Sequence, residues 1–212
     1  MYRVIIADDH AVVCTGLKLI FNQTIDLRLA EQARNGDELL CKLKASVYDL
    51  VILDISMPGK DALDTLKEIK STYPSLPVVI FTMNPDESFA ARMFTNGASA
   101  YVNKETQPEQ IISIIRHILC GGKYITSKQN ALLENYTGHL NTFRQTAHNL
   151  LTDREYQVLH LLVQGIKKSD IASSLSVSKN TISNHRNSIM KKLSISSNSE
   201  LTRYAIQHGL LS

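Results

Sequence analysis

The chain has 212 residues, 43% hydrophobic and 20% charged, with no Trp, a composition that fits one large or two small globular domains and excludes a disordered or fibrous chain. No apolar run approaches the ~18 residues that span a bilayer, and the start Met1-Tyr2-Arg3-Val4-Ile5-Ile6-Ala7-Asp8-Asp9 turns acidic too early for a signal peptide, so the expectation is a cytoplasmic protein without a membrane partner. Residues 1–125 carry 13 Lys+Arg against 15 Asp+Glu, a net of −2, while residues 149–212 carry 8 against 4, a net of +4, and a basic second half favours an anionic polymer as its partner.

Short apolar runs alternate with longer helical patterns through the first half: Val4 to Ala7, then about 10–23; Leu27 to Ala33, then 37–45; Leu50 to Leu53, then 60–72. The alternation continues with Val78 to Phe81, 86–96, Ala100 to Asn103 and 108–120. Five strands each followed by a helix predict an α/β doubly wound, five-stranded parallel sheet covered on both faces. Asn84-Pro85-Asp86-Glu87 and Thr106-Gln107-Pro108-Glu109 each place a capping residue three before Glu, and Asn96-Gly97 and Gly121-Gly122 serve as helix stops. Cys14, Cys41 and Cys120 are odd in number and widely spaced in apolar periodic segments, which predicts reduced residues in or near the core.

From about Tyr124 to His148 the pattern lapses into a polar, partly helical linker with a helical patch around 128–136. Thr152-Asp153-Arg154-Glu155 then reads as a capping box before the apolar face Tyr156, Val158, Leu159, Leu162 and Val163, ended by Gly165. A short helix over about 168–175, the turn Ser176-Val177-Ser178, a helix over about 179–193 and a last helix from Ser197 to His208, with Gly209 after it, complete a small all-α four-helix unit. Its middle pair, joined by a tight turn, describes a helix-turn-helix. The organisation expected is therefore residues 1–124, a linker over 125–148, and residues 149–212.

The first half places its chemistry at strand ends. Asp8 and Asp9 follow the first apolar run, Asp54 ends the third before Pro58 forbids continuation, Thr82 ends the fourth, and Lys104 lies just past the fifth. In an open parallel sheet these residues share the carboxyl edge, where ligands collect. Three carboxylates so close need a cation to remain ionised, and Mg²⁺ is the hard, oxygen-seeking ion that fits. Lys104 and the Thr82 hydroxyl could then hold the oxygens of a phosphoryl group on Asp54.

Ala7-Asp8-Asp9-His10, Leu53-Asp54-Ile55-Ser56-Met57-Pro58, Phe81-Thr82 and Ala100-Tyr101-Val102-Asn103-Lys104 resemble the receiver domain of two-component response regulators, over essentially all of the first half. The resemblance implies a flavodoxin-like fold in which Asp54 is the phosphoacceptor. It also implies that Asp9, Asp54 and the Ser56 carbonyl bind Mg²⁺ with Asp8 acting through water, that Lys104 pairs with the phosphoryl group, and that Thr82 and Tyr101 form the switch pair. Met83 stands where this family usually has a small residue, and slower or more selective phosphorylation is expected from it. Ala62 and Ala11 replace a common Gly and a common Pro without functional consequence.

The second half, from Leu151-Thr152-Asp153-Arg154-Glu155 through Gly165, Ile171-Ala172, Leu175, Thr181-Ile182, His185 and Lys192-Leu193 to Gly209-Leu210, resembles the LuxR-type DNA-binding domain, and the two halves together match the NarL/FixJ class. Helical periodicity puts Ile182, Ile189 and Leu193 on the core face of the third helix, with His185 at its margin as a packed residue. Asn180, Ser183, Asn184, Asn187 and Lys191 point the other way. Within 179–192 there are four basic residues, Lys179, Arg186, Lys191 and Lys192, and no acidic one. Major-groove insertion then makes Asn184 and Asn187 base readers, Lys179 and Lys191 positioning residues, and Arg186 a residue that snorkels to a phosphate.

The function expected is a DNA-binding transcriptional regulator, not an enzyme, switched by Mg²⁺-dependent phosphorylation of Asp54 from a cognate histidine kinase. It would bind double-stranded promoter DNA as a homodimer, with RNA polymerase as a further candidate partner. Two alternatives stand beside this reading. An aspartyl-phosphate enzyme of the dehalogenase type wants a second acid two residues after the nucleophile, where Ser56 stands. A constitutive DNA-binding regulator with a vestigial, weakly phosphorylated receiver is disfavoured by the complete set Asp8, Asp9, Asp54, Thr82 and Lys104.

Overall fold

In a computed structural model that describes residues 1–83, 87–138, 148, 151–175 and 177–208, the chain divides into two compact units, Met1–Tyr136 and Thr137–Ser212. The first is built from β1 (Tyr2–Ala7), α1 (Ala11–Asn22), β2 (Leu27–Ala33), α2 (Gly36–Ala45), β3 (Leu50–Leu53), α3 (Ala62–Thr72), β4 (Val78–Thr82), α4 (Glu87–Thr95), β5 (Ala100–Asn103) and α5 (Pro108–Leu119). All strand pairs are parallel, in the order β2-β1-β3-β4-β5. The doubly wound sheet read from the alternation is thus the fold observed.

Strand β3 shows why. Leu50, Val51, Ile52 and Leu53 are all at most 2% exposed, because alternate residues of a central parallel strand face helices on opposite sides. Val4, Ile6, Leu50, Ile52, Val79 and Phe81 pack with Leu17 and Phe21 of α1 and Ile111, Ile114, Ile115 and Ile118 of α5. Each such side chain contributes roughly 1.5–3 kcal/mol on burial. The intervening residues Ile5, Val51, Leu53 and Ile80 are buried on the other face.

Three local expectations need correction or limits. The residue preceding α5 is Gln107, without a side-chain capping bond, so Thr106 is not its cap. Pro108 at the first helical position fixes the helical dihedral and needs no amide partner, which sets the boundary one residue later. Of the cysteines, only Cys14 is buried; Cys41 and Cys120 are exposed, on the outer face of α2 and at the end of α5. The caps read at Asn84-Pro85-Asp86-Glu87 and at Gly209, and the Ser176 position of the turn, involve residues outside those described, as does all of 139–147.

Helix α6 (Ser127–Gly138) begins in the first unit. Its buried Gln129 donates from Nε2 to the Tyr101 carbonyl at 3.1 Å, and accepts the Thr126 amide at 3.0 Å. The second unit contains α7 (Asp153–Val163), α8 (Lys168–Ser174), α9 (Lys179–Leu193) and α10 (Asn198–Gln207), four helices among the described residues there besides the end of α6. The Thr152–Glu155 capping box forms as the sequence predicts, and Ser178 and Ser197 cap α9 and α10 through their side chains. Gly165 ends α7 at φ +79°, while Ser194, without that freedom, takes φ 56° after α9.

Candidate functional site: an acid pocket and a recognition helix

The strand order reverses direction between β1 and β3, so the segments leaving these two strands diverge and open a crevice. Backbone pairing carries the site residues to this edge. The Asp54 amide bonds to the Ala7 carbonyl at 2.9 Å, the Asp8 amide to the Ala33 carbonyl at 3.0 Å, and the Lys104 amide to the Thr82 carbonyl at 2.8 Å. Asp8, Asp54 and Thr82 are each at most 3% exposed. Asp9 is partly exposed and Ser56 half-buried. Tyr101 is buried in β5, where it pairs with Ile80, two residues before Thr82.

Lys104 Nζ lies 2.8 Å from Asp8 Oδ2 and 3.0 Å from Asp54 Oδ2, inside the protein. One ammonium thus faces two buried carboxylates. Lys104 Nζ and the Ser56 backbone are the polar groups beside Asp54. Burial pushes the Asp54 carboxyl above its ordinary range; Lys104 opposes the shift and the Asp8 charge adds to it. One ligand atom from each of Asp8, Asp9, His10 and Asp54 can be chosen so that all lie within 4.8 Å of one another. Buried carboxylates in excess of the local positive charge form a donor set compatible with a hard divalent cation.

His10 belongs to this cluster, although the sequence motif assigned it nothing. Its Nδ1 is 3.0 Å from Asp9 Oδ1 and 3.2 Å from Asp8 Oδ1, and its amide donates to Asp8 Oδ1 at 2.9 Å. Met83 follows Thr82 and is 59% exposed.

In the second unit α9 buries Ile182, Ile189, Met190 and Leu193. Lys179, Asn180, Asn184, Asn187 and Lys191 are exposed, whereas Ser183 and Arg186 are half-buried. The basic residues are not equivalent. Arg186 donates to Asn198 Oδ1 from Nε at 3.0 Å and from a terminal nitrogen at 2.8 Å, and Lys192 Nζ donates to Glu155 Oε2 at 2.6 Å. Two of the four cations therefore fasten α9 to its own unit, and Lys179 and Lys191 remain on the outer face. His185 is half-buried, and burial together with the charge of Arg154 lowers its pKa.

Residues 4–116 match the response regulator receiver domain family, and residues 149–205 match the bacterial regulatory proteins of the luxR family. The chain is 35% identical to the oxygen regulatory protein NreC of Staphylococcus carnosus over 99% of both chains, and 33% identical to NreC of Staphylococcus haemolyticus over the same shares. It is also similar to RcsB from Salmonella enterica serovar Typhimurium bound to promoter rprA with a phosphomimetic, at TM-score 0.61 and 27% identity, covering 96% of this chain and 97% of that one. An RcsB–DNA complex matches at TM-score 0.59 and 27% identity over 96% of both chains. The receiver edge in the first unit, the helix-turn-helix in the second and these matches lead to one conclusion: the chain belongs to the two-component response regulators that carry a LuxR-type DNA-binding domain.

Proposed function

We propose that Mg²⁺-dependent phosphorylation of Asp54 by a histidine kinase switches this regulator toward a homodimer that binds promoter DNA. The observation that carries the reading is Asp54 itself: buried at the carboxyl end of β3, with Asp8 close by and Lys104 Nζ 3.0 Å from its Oδ2. Such a carboxylate is poorly solvated and positioned to act as a nucleophile. In the transfer, the P–N bond of the donor phosphohistidine breaks, an Asp54 oxygen bonds to phosphorus, and the imidazole keeps the electron pair. Asp9, Asp54 and the Ser56 carbonyl would hold Mg²⁺, with Asp8 acting through water, and the ion would offset the charge of the transferring group. Lys104 would exchange a carboxylate for a phosphoryl oxygen, and the Thr82 hydroxyl would donate to another.

The bound phosphoryl group must favour one state of Thr82, Tyr101 and Lys104 over the other for any signal to leave the site. Gln129 ties α6 to the Tyr101 carbonyl, so the chain leaving the sheet is anchored at the switch residue. RNA polymerase is a further candidate partner of the DNA-bound form. Among the described residues no helix is long and apolar enough to cross a membrane, and a cytoplasmic site of action is part of the proposal.

A small phosphodonor with Mg²⁺ should label Asp54, and chelation should abolish the labelling. Equal labelling in chelator would contradict the cation's role. In the same assay Met83→Ala should speed labelling several-fold, and an unchanged rate would refute any obstruction by Met83.

On DNA, Asn184 and Asn187 would read bases and Lys179 and Lys191 would contact phosphates, with Asn180 and Ser183 at the rim. Arg186 and Lys192 have partners within the unit, which limits the electrostatic share of affinity. With two phosphate contacts per protomer the slope of log K against log salt should be roughly −4 for a dimer. A slope near twice that would show phosphate contacts well beyond these two residues.

A further inference from the structure

We propose that Gln129 is a positioning residue of the switch: its side chain latches the start of α6 to the main chain of Tyr101, and phosphorylation of Asp54 tightens that latch. The inference rests on the reading of Tyr101 as a switch residue. Its basis is the edge of the sheet. β5 ends the strand order, so one of its edges has no neighbouring strand among the described residues, and an open edge leaves main-chain groups to be paired. Gly121, at φ +88°, turns the chain back after α5. The Tyr124 amide then donates to the Ser99 carbonyl at 2.9 Å, and Tyr124 forms a parallel bridge with Ala100.

Gln129 extends this pairing with a side chain. Its Nε2 donates to the Tyr101 carbonyl at 3.1 Å, one residue beyond the bridge, while its Oε1 accepts the Thr126 amide at 3.0 Å. The Gln129 amide in turn donates to Thr126 Oγ1 at 3.3 Å, which closes a reciprocal box at the start of α6. A glutamate would complete the same box and suit the helix start better, but its carboxylate has no donor for a carbonyl. At 5% exposure the amide has little access to water, so opening either bond strands a buried polar group. The Tyr101 main chain and the first turn of α6 are therefore held together or released together.

The latch lies on the strand that answers to the acid pocket. Lys104, three residues after Tyr101, stands 3.0 Å from Asp54 Oδ2, and its amide is bonded to the Thr82 carbonyl. The latch is closed with Tyr101 2% exposed and Lys104 at Asp54, the arrangement that a phosphoryl group on Asp54 would hold. A phosphoryl analogue should then favour the closed latch, and by reciprocity the closed latch should favour the analogue by the same factor. Gln129→Met, which keeps the length and apolar bulk of the side chain but neither bond, should weaken binding of beryllofluoride roughly fivefold, the lower end of such couplings.

The deciding experiment follows amide hydrogen exchange of the full chain residue by residue by NMR, with Mg²⁺ and with or without beryllofluoride. In wild type the analogue should slow exchange of the Tyr124 and Asn130 amides roughly fivefold, and in Gln129→Met it should not. Thr126→Ala removes one bond of the box but not the bond to Tyr101; it should speed exchange at Asn130 yet keep the response to the analogue, which separates the latch from simple fraying of α6. Unchanged exchange in β3 would verify the fold of each variant. A response at Lys104 without one at Tyr124 and Asn130 in wild type would overturn the latch and leave the switch standing. A full response in Gln129→Met would overturn the role of Gln129, and no response at Lys104, Tyr124 or Asn130 in any of the three proteins would overturn both readings.

Discussion

Asp54→Asn is expected to abolish phosphoryl labelling completely and, at the same time, to stabilise the first unit by roughly 1–2 kcal/mol in the absence of divalent cations. The two effects have one cause. Wild-type Asp54 is a desolvated carboxylate that competes with Asp8 for the single ammonium of Lys104. Removing its charge removes both the nucleophile and the repulsion, and leaves Lys104 paired with Asp8. The substitution keeps the volume, so no cavity forms. Denaturant unfolding in chelator measures the second effect. A destabilised variant would show that Lys104 already compensates Asp54 fully.

Glu155→Gln should destabilise the second unit by roughly 2–3 kcal/mol, the largest stability loss expected there from a single isosteric change. Glu155 is 5% exposed, and its Oε2 accepts the Thr152 amide at 2.7 Å and Lys192 Nζ at 2.6 Å, while Oε1 accepts the Ser188 hydroxyl. Burial alone would raise its pKa; the bonds from Lys192, Ser188 and Thr152 overcome that and lower it from 4.5 to about 2. A shift of this size corresponds to roughly 3 kcal/mol. Because the folded value is depressed, the contribution is fully present above the unfolded value near 4.5 and is lost as pH falls toward 2. Hydrogen exchange in α7 and α9 should show that acid loss in wild type and not in Glu155→Gln. A loss below about 0.5 kcal/mol in the variant would mean that Lys192 and Ser188 find equal partners elsewhere.

The sheet was legible because a parallel strand covered on both faces is a continuous apolar run, and Leu50 to Leu53 is such a run in sequence and in structure. The acid pocket was legible for a related reason: where an apolar run stops, the next polar residue is delivered to the edge, which places Asp8, Asp54, Thr82 and Lys104 without knowledge of packing. Contacts between distant residues were not legible. The capping box announced Glu155 as the start of a helix, but its pairing with Lys192 and Ser188 depends on how α7 crosses α9. For the same reason the bonds from Arg186 to Asn198 Oδ1 were not legible.

Gln129 offered no signal in a polar stretch, since only its distance from Tyr101 reveals a role. His10 could have been found. A histidine directly after two acids at a strand end can turn its ring to their carboxylates, and the side chain's direction was the missing fact. The exposed Cys41 and Cys120 show the limit of periodicity, which locates a helix more securely than it chooses which marginal residue faces outward.

The central claim is that modification of Asp54 changes what the second unit does to DNA. Affinity for promoter DNA should be measured for wild type and Asp54→Asn, each with and without a beryllofluoride phosphoryl analogue and Mg²⁺. A gain in affinity for wild type alone, lost on chelation, is the predicted result. Equal affinity in all four conditions would contradict it and leave a constitutive DNA-binding protein.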